Sequence, residues 1–282
     1  MKRKILGIVA LAMLAHFSSA QSRMITEENL FTTNMESPAV DASGNIYVVN
    51  YKTDGTIGKV KPNGTHELFV TLPSGMVGNG IRIDNDGNLL VADFSMHNVL
   101  KVNVKTKEVS VVAHNDKMNQ PNDLTYSRKT GNIYTSDPNW KNDSGQLWLV
   151  RPNGESVLVW ENMGTTNGIE LSPDEKYLYV NESRQLNLWR FNINNDGTLT
   201  GKKLLYKFKG YGLDGMKCDK AGNIYVTRYA KGEILVLSPK GKEIKSYTTI
   251  GKKTSNICLT ADEKQAYVTL QDTKALECIE LK

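Results

Sequence analysis

The chain has 282 residues, of which 39% are hydrophobic and 23% are charged, a balance typical of a globular protein. The formal net charge of +5 includes three basic and no acidic side chains within residues 1–20, so the remainder carries only +2. This weak charge, spread without a basic run, argues against nucleic acid as a partner.

The first twenty residues have the pattern of a secretory signal peptide. Three basic residues precede an apolar stretch that is shorter than a membrane span. Small residues then predict cleavage after Ala20, and no cysteine is present there to carry a lipid anchor. We therefore expect an exported, periplasmic or secreted monomer without a membrane anchor, whose residues 21–282 form one domain.

A β-hairpin pattern recurs along the rest of the chain. Each copy has a short strand, a turn rich in Asp, Gly and Asn, and a second strand with a central tyrosine or leucine. These central residues recur at steps of 42–46 residues and are Tyr47, Leu90, Tyr134, Tyr179, Tyr225 and Tyr267. The period predicts an all-β, six-bladed β-propeller of four-stranded antiparallel blades.

The last repeat has room for only three strands, so its blade needs a fourth strand from elsewhere in the chain. A strand-like run at 29–33 precedes the first hairpin. We expect this N-terminal strand to complete the last blade, because closing the ring removes exposed strand edges.

Three cysteines, Cys218, Cys258 and Cys278, lie in predicted strands. Their apolar or alternating surroundings favour burial as small hydrophobic residues. A Cys258–Cys278 disulfide within the sixth repeat stays open as an alternative.

One polar residue stands eleven or twelve positions before each central residue, where the first strand begins. We call these six the axial ring: Glu36, Asn79, Asn122, Asn167, Asp214 and Asn256. Loops that follow the second strands open at the same end, because neighbouring strands are antiparallel. With Asn79, the candidate substrate-binding residues are Asp137, Trp140, Arg228 and Tyr229.

The axial ring contains two acids and four amides, without His or Cys. Carboxylate and amide oxygens suit calcium or magnesium, with Mn²⁺ or Zn²⁺ as alternatives. We interpret Glu36, Asn122, Asn167 and Asp214 as metal ligands, and the other two as channel lining or substrate contacts. The alternative is that short polar side chains merely fill a wet central channel.

A calcium ion at the bottom of a pocket can polarise a carbonyl or phosphoryl oxygen. Asp214 would then serve as ligand and general base. Asp137 is the alternative base, or simply a solvated loop acid. The sequence contains no Gly-x-Ser-x-Gly, His-Glu-x-x-His or phosphate-loop motif.

Four stretches resemble the gluconolactonase/regucalcin family of six-bladed propellers. They are 36–41 (ESPAVD), 120–123 (QPND) with 131–138 (GNIYTSDP), 167–174 (NGIELSPD) with 177–180 (YLYV), and 214–219 (DGMKCD) with 222–226 (GNIYV). The resemblance implies that Glu36, Asn122, Asn167 and Asp214 bind a catalytic divalent metal, and that Asp214 is the general base. It also implies hydrolysis of lactones, often those of sugar acids.

The chain departs from the regucalcin branch of that family at two positions. Gln120 stands where that branch has an arginine that contacts the sugar acid, and a glutamate of its third blade has no counterpart near Lys141. The leading hypothesis is a calcium-dependent hydrolase of small lactones or esters. The alternatives are a metal-containing propeller that binds a small ligand without turnover, and a non-enzymatic scaffold.

Overall fold

A computed structural model of the chain describes residues 22–281, which form twenty-four strands and no helix. The predicted signal peptide lies outside these residues. Nothing within the described residues has the length and hydropathy of a membrane-spanning helix. The strands form six four-stranded antiparallel sheets, which confirms the predicted six-bladed propeller.

Blades 1 to 5 follow the chain, and each uses four consecutive strands. Blades 1 and 2 comprise β2 (Ala39–Val40), β3 (Ile46–Val49), β4 (Thr56–Val60), β5 (His66–Thr71), β6 (Gly78–Ile83), β7 (Leu89–Asp93), β8 (Asn98–Val102) and β9 (Val109–His114). Blades 3 and 4 comprise β10 (Leu124–Tyr126), β11 (Ile133–Asn139), β12 (Ser144–Val150), β13 (Ser156–Met163), β14 (Thr166–Leu171), β15 (Tyr177–Glu182), β16 (Asn187–Ile193) and β17 (Leu199–Lys207). Blade 5 comprises β18 (Gly212–Cys218), β19 (Ile224–Tyr229), β20 (Glu233–Leu237) and β21 (Glu243–Thr248).

Blade 6 combines both ends of the described chain. It contains β22 (Thr254–Leu259), β23 (Gln265–Leu270) and β24 (Ala275–Glu280), and its fourth strand is β1 (Ser22–Met24), paired with β24. Closure by an N-terminal strand is confirmed, but its predicted position at 29–33 is wrong. Asn29 has a φ of 63°, which interrupts an extended run. Leu30 and Phe31 instead pack between blades 1 and 6, which explains why these two residues are apolar.

The hydrophobic core consists of six clusters, each between two neighbouring blades. Each central residue of the repeat belongs to a different cluster. For example, Tyr47 of blade 1 packs with residues of blade 2, and Tyr267 of blade 6 packs with residues of blade 1. The central residues therefore repeat because each one packs between two blades, and no blade can bury its apolar faces alone.

All three cysteines are free. Cys258 on β22 and Cys278 on β24 are both register partners of Tyr267, on the strand between them. Because a whole strand separates the two, the alternative Cys258–Cys278 disulfide is not formed.

The first strands of the blades contact one another around the central axis. In blades 2, 4, 5 and 6 a register shift falls just after the axial-ring position of this strand. Such a bulge adds one residue, so the residue three positions after the ring residue returns to the axial side. The inner strands can therefore carry two successive layers of side chains along the axis.

Candidate functional site

A cavity of about 260 Å³ opens at the end of the axis where the first strands begin. Its lining residues are Glu36, Asn79, Asn122, Trp140, Asn167, Ser183, Asp214, Tyr229 and Gln271. Five of the six axial-ring residues are therefore brought together, with Trp140 and Tyr229 of the predicted wall. Asn256 lies behind this lining and donates a hydrogen bond to the hydroxyl of Ser37 at 2.8 Å.

Glycines next to the axial ring allow the inner strands to approach closely. A Cβ atom on Gly215 would lie 2.0 Å from Cγ of Asn256, and one on Gly168 would lie 2.4 Å from the backbone oxygen of Asp214. A side chain cannot be accommodated at either position. The Asn-Gly and Asp-Gly pairs of the sequence therefore reflect packing around the axis.

The two acids of the ring lie close enough for the charge of one to affect the pKa of the other. Burial and the negative charge of Glu36 raise the pKa of Asp214 well above its usual range, although a hydrogen bond from Asn167 opposes the rise. Burial raises the pKa of Glu36 to about 7, despite a hydrogen bond from the backbone N–H of Ser37. Two enclosed carboxylates that repel each other would be stabilised by a positive charge between them.

Asn122 adds a further oxygen that has no partner. Its side-chain Oδ1 is buried and accepts no hydrogen bond from the described residues. Its backbone oxygen, in contrast, accepts from the N–H of Gly80 at 2.8 Å and from Nδ2 of Asn79 at 3.0 Å. One unpaired amide oxygen together with two neighbouring carboxylates is a donor set that fits a hard divalent cation.

Within residues 22–281, no group of three or more His, Cys, Asp or Glu side chains could hold a metal ion. A cation at this cavity would therefore depend on two carboxylates supplemented by amide oxygens. The four side chains of that type predicted as ligands, Glu36, Asn122, Asn167 and Asp214, all line the cavity.

Asp137 lies outside the cavity lining and is fully buried. Its carboxylate accepts hydrogen bonds from the backbone N–H groups of Asn119 and Gln120, at 2.9 and 2.6 Å. It also accepts from Nε2 of Gln146 at 2.7 Å and from Nε1 of Trp148 at 3.0 Å. Asp137 thus ties the loop before Asn122 to the second and third strands of blade 3.

Arg228 is likewise placed away from the cavity, with 3% of its surface exposed. Its Nη2 donates to the backbone oxygens of Lys209 and Gly210, at 3.0 and 2.5 Å, and its Nη1 lies 3.5 Å from Oε2 of Glu233. Residues at this register, three after the central residue, hold loops in several blades. We call them the loop-anchor residues: Asn50, Asp93, Asp137, Glu182 and Arg228.

Strand alternation explains which wall residues reach the cavity. Successive side chains of a strand point to opposite faces, so Tyr229 lines the cavity while the adjacent Arg228 anchors a loop. Ser183 and Gln271 occupy the register of Tyr229 in their own blades and also line the cavity. Sequence reasoning missed both, although they share with Tyr229 the position four residues after the central residue of the repeat.

Trp140 and Tyr229 are the aromatic side chains of the cavity wall. The guanidinium of Arg184 lies 5.5 Å from the Trp140 ring and donates to the Trp140 backbone oxygen at 2.9 Å. The hydroxyl of Tyr229 donates to Oε1 of Gln271 at 3.1 Å. Burial, together with the charges of Asp214 and Glu36, raises the pKa of Tyr229. The wall therefore offers apolar rings with fixed polar edges.

Comparison with known proteins is consistent with this architecture. The gluconolactonase of Zymomonas mobilis is 32% identical over 211 residues, which cover 65% of this chain and 58% of that relative. The chain thus spans less than two thirds of the relative's length. A gluconolactonase from Xanthomonas campestris shares the fold, with a TM-score of 0.80, 17% identity, and coverage of 98% of this chain and 94% of that one.

A calcium-binding regucalcin from Agrobacterium tumefaciens also shares the fold, with a TM-score of 0.79 and 20% identity over 93% of this chain and 94% of that one. The sequence model of the SMP-30/Gluconolactonase/LRE-like region matches residues 34–272. That match covers most of the chain and every residue of the cavity. The chain therefore belongs to the SMP-30/gluconolactonase/LRE-like family.

Proposed function

We propose that the protein is a divalent-metal-dependent hydrolase of small lactones or esters, with calcium as the expected ion. The observation that carries the proposal is the meeting of two mutually repelling carboxylates and an unpaired amide oxygen in one axial cavity. Family membership and the gluconolactonase relative support the reaction class. The calcium-binding neighbour of the same fold supports the choice of ion.

In this proposal Glu36, Asn122, Asn167 and Asp214 hold the ion. When bound, a divalent cation supplies Lewis-acid polarisation of an ester carbonyl. The remaining lining residues bind the substrate. Asn79, Trp140 and Tyr229 are also predicted from the sequence, and Ser183 and Gln271 join them because they line the same cavity. Asp137 and Arg228 are loop-anchor residues, and we do not include them among the residues that bind the substrate.

Asp214 is the proposed general base. It is half-buried, and the exposed part of the residue faces the cavity, where a water molecule can approach. Asp214 would accept a proton as the water oxygen attacks the acyl carbon, and would return that proton to the alkoxide when the ring C–O bond breaks. Lactone and water are thereby converted to a hydroxy acid, with no other reactant consumed.

The test is hydrolysis of a panel of lactones and aryl esters, followed by pH-stat. The protein is measured as purified, after chelation, and after calcium is restored. We expect turnover that is lost on chelation and returns with calcium. Asp86→Asn, which removes an acid that is 80% exposed, is the matched control for the Asp214→Asn variant in the same assay. Calcium binding without turnover of any substrate would favour the alternative, a propeller that binds a small ligand.

We further propose export, with residues 1–20 removed as a signal peptide. Cleavage after Ala20 would leave Ser22 available for β1, so the closing strand stays complete in the mature chain. Intact-mass measurement of the extracellular or periplasmic protein checks the cut. Gel filtration of the same sample checks the expected monomer.

A further inference from the structure

A cluster of buried charges lies along the axis beneath the cavity. Nη2 of Arg82 is 3.2 Å from Oδ2 of Asp123 and 3.5 Å from Oε2 of Glu170. Nζ of Lys217 is 2.7 Å from Oε1 of Glu170. The side chains of Arg82 and Asp123 are only 9% and 1% exposed. We call these four residues the axial ion cluster.

The bulges of the inner strands place this cluster. Arg82, Glu170 and Lys217 each follow an axial-ring residue by three positions, and they line a second cavity of about 340 Å³. Arg82 and Glu170 border this second cavity. Asp123 accepts a hydrogen bond from Ser37, the neighbour of Glu36 in the first cavity, so the cluster lies between the two. Its members on β6, β14 and β18 therefore share the axis with the candidate metal site.

Asp123 connects the axial ion cluster to that site. It directly follows Asn122, and its Oδ1 accepts a hydrogen bond from the hydroxyl of Ser37 at 3.4 Å. The N–H of Ser37 in turn donates to Glu36 at 3.0 Å. The negative charge of Asp123 also contributes to the raised pKa values of Glu36 and Asp214. Asp123 is thus a third carboxylate whose charge is felt at the proposed ligands.

The charges along the axis sum to −2, which is equal in size and opposite in sign to the charge of one divalent cation. Two acids, Glu36 and Asp214, belong to the proposed ligands. In the axial ion cluster, the acids Asp123 and Glu170 are matched by the bases Arg82 and Lys217. Two negative charges remain, because the guanidinium of Arg82 cancels a carboxylate that would otherwise add to the site.

We propose that Arg82 is a specificity-determining residue, an internal monovalent cation that cancels Asp123 and sets the site for divalent rather than trivalent ions. This inference rests on the proposed function, since it assigns a role toward the proposed metal. A purely structural ion pair would affect folding but would leave ion preference unchanged. The two roles are therefore separable by measuring ion binding instead of stability.

The test varies the axial charge in single steps. Asp123→Asn changes it from −2 to −1, Arg82→Met changes it to −3, and the double variant returns it to −2. Calcium affinity is measured by calorimetry, and terbium(III) affinity is measured by luminescence competition against calcium. Arg82→Lys, which keeps the charge, is the conservative control.

We expect Asp123→Asn to weaken calcium binding by about tenfold or more, since a negative charge close to the site is lost and charges in protein interact more strongly than in water. Arg82→Met should raise the terbium-to-calcium preference by about tenfold. The double variant and Arg82→Lys should behave like the wild type. Should Arg82→Met fail to fold, the comparison of Asp123→Asn with the double variant still decides.

Equal calcium affinity and equal terbium preference in Asp123→Asn, the double variant and the wild type would overturn the inference. If the wild type binds calcium and hydrolyses lactones under that outcome, the proposed function stands and only the role of Arg82 fails. If the wild type binds no divalent cation, the proposed metal role fails and the inference fails with it.

Discussion

Two sets of polar residues lie at the same end of the propeller, and their surroundings differ. Among the loop-anchor residues, Asp93 accepts hydrogen bonds from the N–H of Val77 at 3.0 Å and from Nδ2 of Asn98 at 2.8 Å. Asp137 is similarly enclosed by donors. In the axial ring, by contrast, the carboxylates of Glu36 and Asp214 repel each other.

The difference distinguishes polar residues that stabilise the fold from polar residues that are placed to bind a ligand. A buried carboxylate surrounded by N–H donors stabilises the fold, whereas two enclosed carboxylates that repel each other cost free energy until a cation binds between them. Both sets occur at fixed registers of the same repeats, so burial and residue type alone do not distinguish them. The following variants test whether the distinction holds.

The largest expected effect is that of Asp214→Asn on activity. Loss of the proposed base should lower lactone hydrolysis by about 100-fold or more. The metal-free variant should nevertheless be more stable than the wild type, because one of two repelling buried carboxylates has been removed. Initial rates by pH-stat and urea unfolding in chelator measure the two effects. A variant with full activity would remove Asp214 from the mechanism.

Asp137→Asn should show the opposite behaviour. The amide of the variant keeps one acceptor oxygen, but its NH₂ group would face the N–H donors that now bind the other carboxylate oxygen. We therefore expect the free energy of unfolding to fall by about 3 kcal/mol. Calcium affinity per folded molecule should not change. Urea unfolding and calorimetry test this. A large loss of calcium affinity without loss of stability would place Asp137 in the site after all.

The metal-free protein should lose stability as the pH rises. The pKa of Glu36 is about 7 in the folded protein, above the ordinary value of 4.5, so its stabilising contribution is complete below pH 4.5 and is lost as the pH passes 7. The expected loss is about 3 kcal/mol. Unfolding in urea with chelator at pH 5 and pH 8 measures it.

Glu277 provides an internal comparison for that experiment. This residue of β24 is buried, its pKa is raised to about 7 by burial, and its Oε1 has no hydrogen-bond partner in the described chain. Glu277→Gln should reduce the pH dependence both with and without calcium, whereas Glu36→Gln should reduce it only in chelator. Equal responses to calcium would contradict the assignment of Glu36 to the site.

The smallest expected effect is that of Tyr229→Phe. The variant loses one hydrogen bond, to Gln271, at a cost of about 1 kcal/mol or less. KM for a lactone should rise a few-fold with little change in kcat, because the aromatic ring remains in the wall. Tyr126→Phe, on the opposite cavity, is the matched control. A large fall in kcat would instead give the Tyr229 hydroxyl a role in the reaction.

The period of the sequence was enough to predict the six blades and the axial ring. Tyr47 and its equivalents recur because each packs against the next blade, so a strong physical constraint is visible as a simple repeat. The position of the closing strand was not predictable in the same way. Leu30 and Phe31 are apolar because they fill the space between blades 1 and 6, and apolarity alone does not distinguish that role from a strand.

Residues of the site could be predicted only where the alternation of side chains along a strand could be followed from the sequence. Arg228 and Tyr229 are neighbours in sequence, yet only one lines the cavity, because their side chains leave opposite faces of β19. Arg82 was missed because a bulge returns it to the axis three residues after Asn79. An unbroken strand, with its period of two, would direct that side chain away from the axis.

The pairing of Ser22 with Ile279 joins the beginning of the described chain to its end. During synthesis, β1 is made early but has no partner until β24, at residues 275–280, has been made. The ring consequently cannot close on a chain that lacks β24, and its closure depends on the pairing of two segments that are far apart in sequence. Removing β24 would therefore leave β1 without any partner strand and would expose one edge of β23.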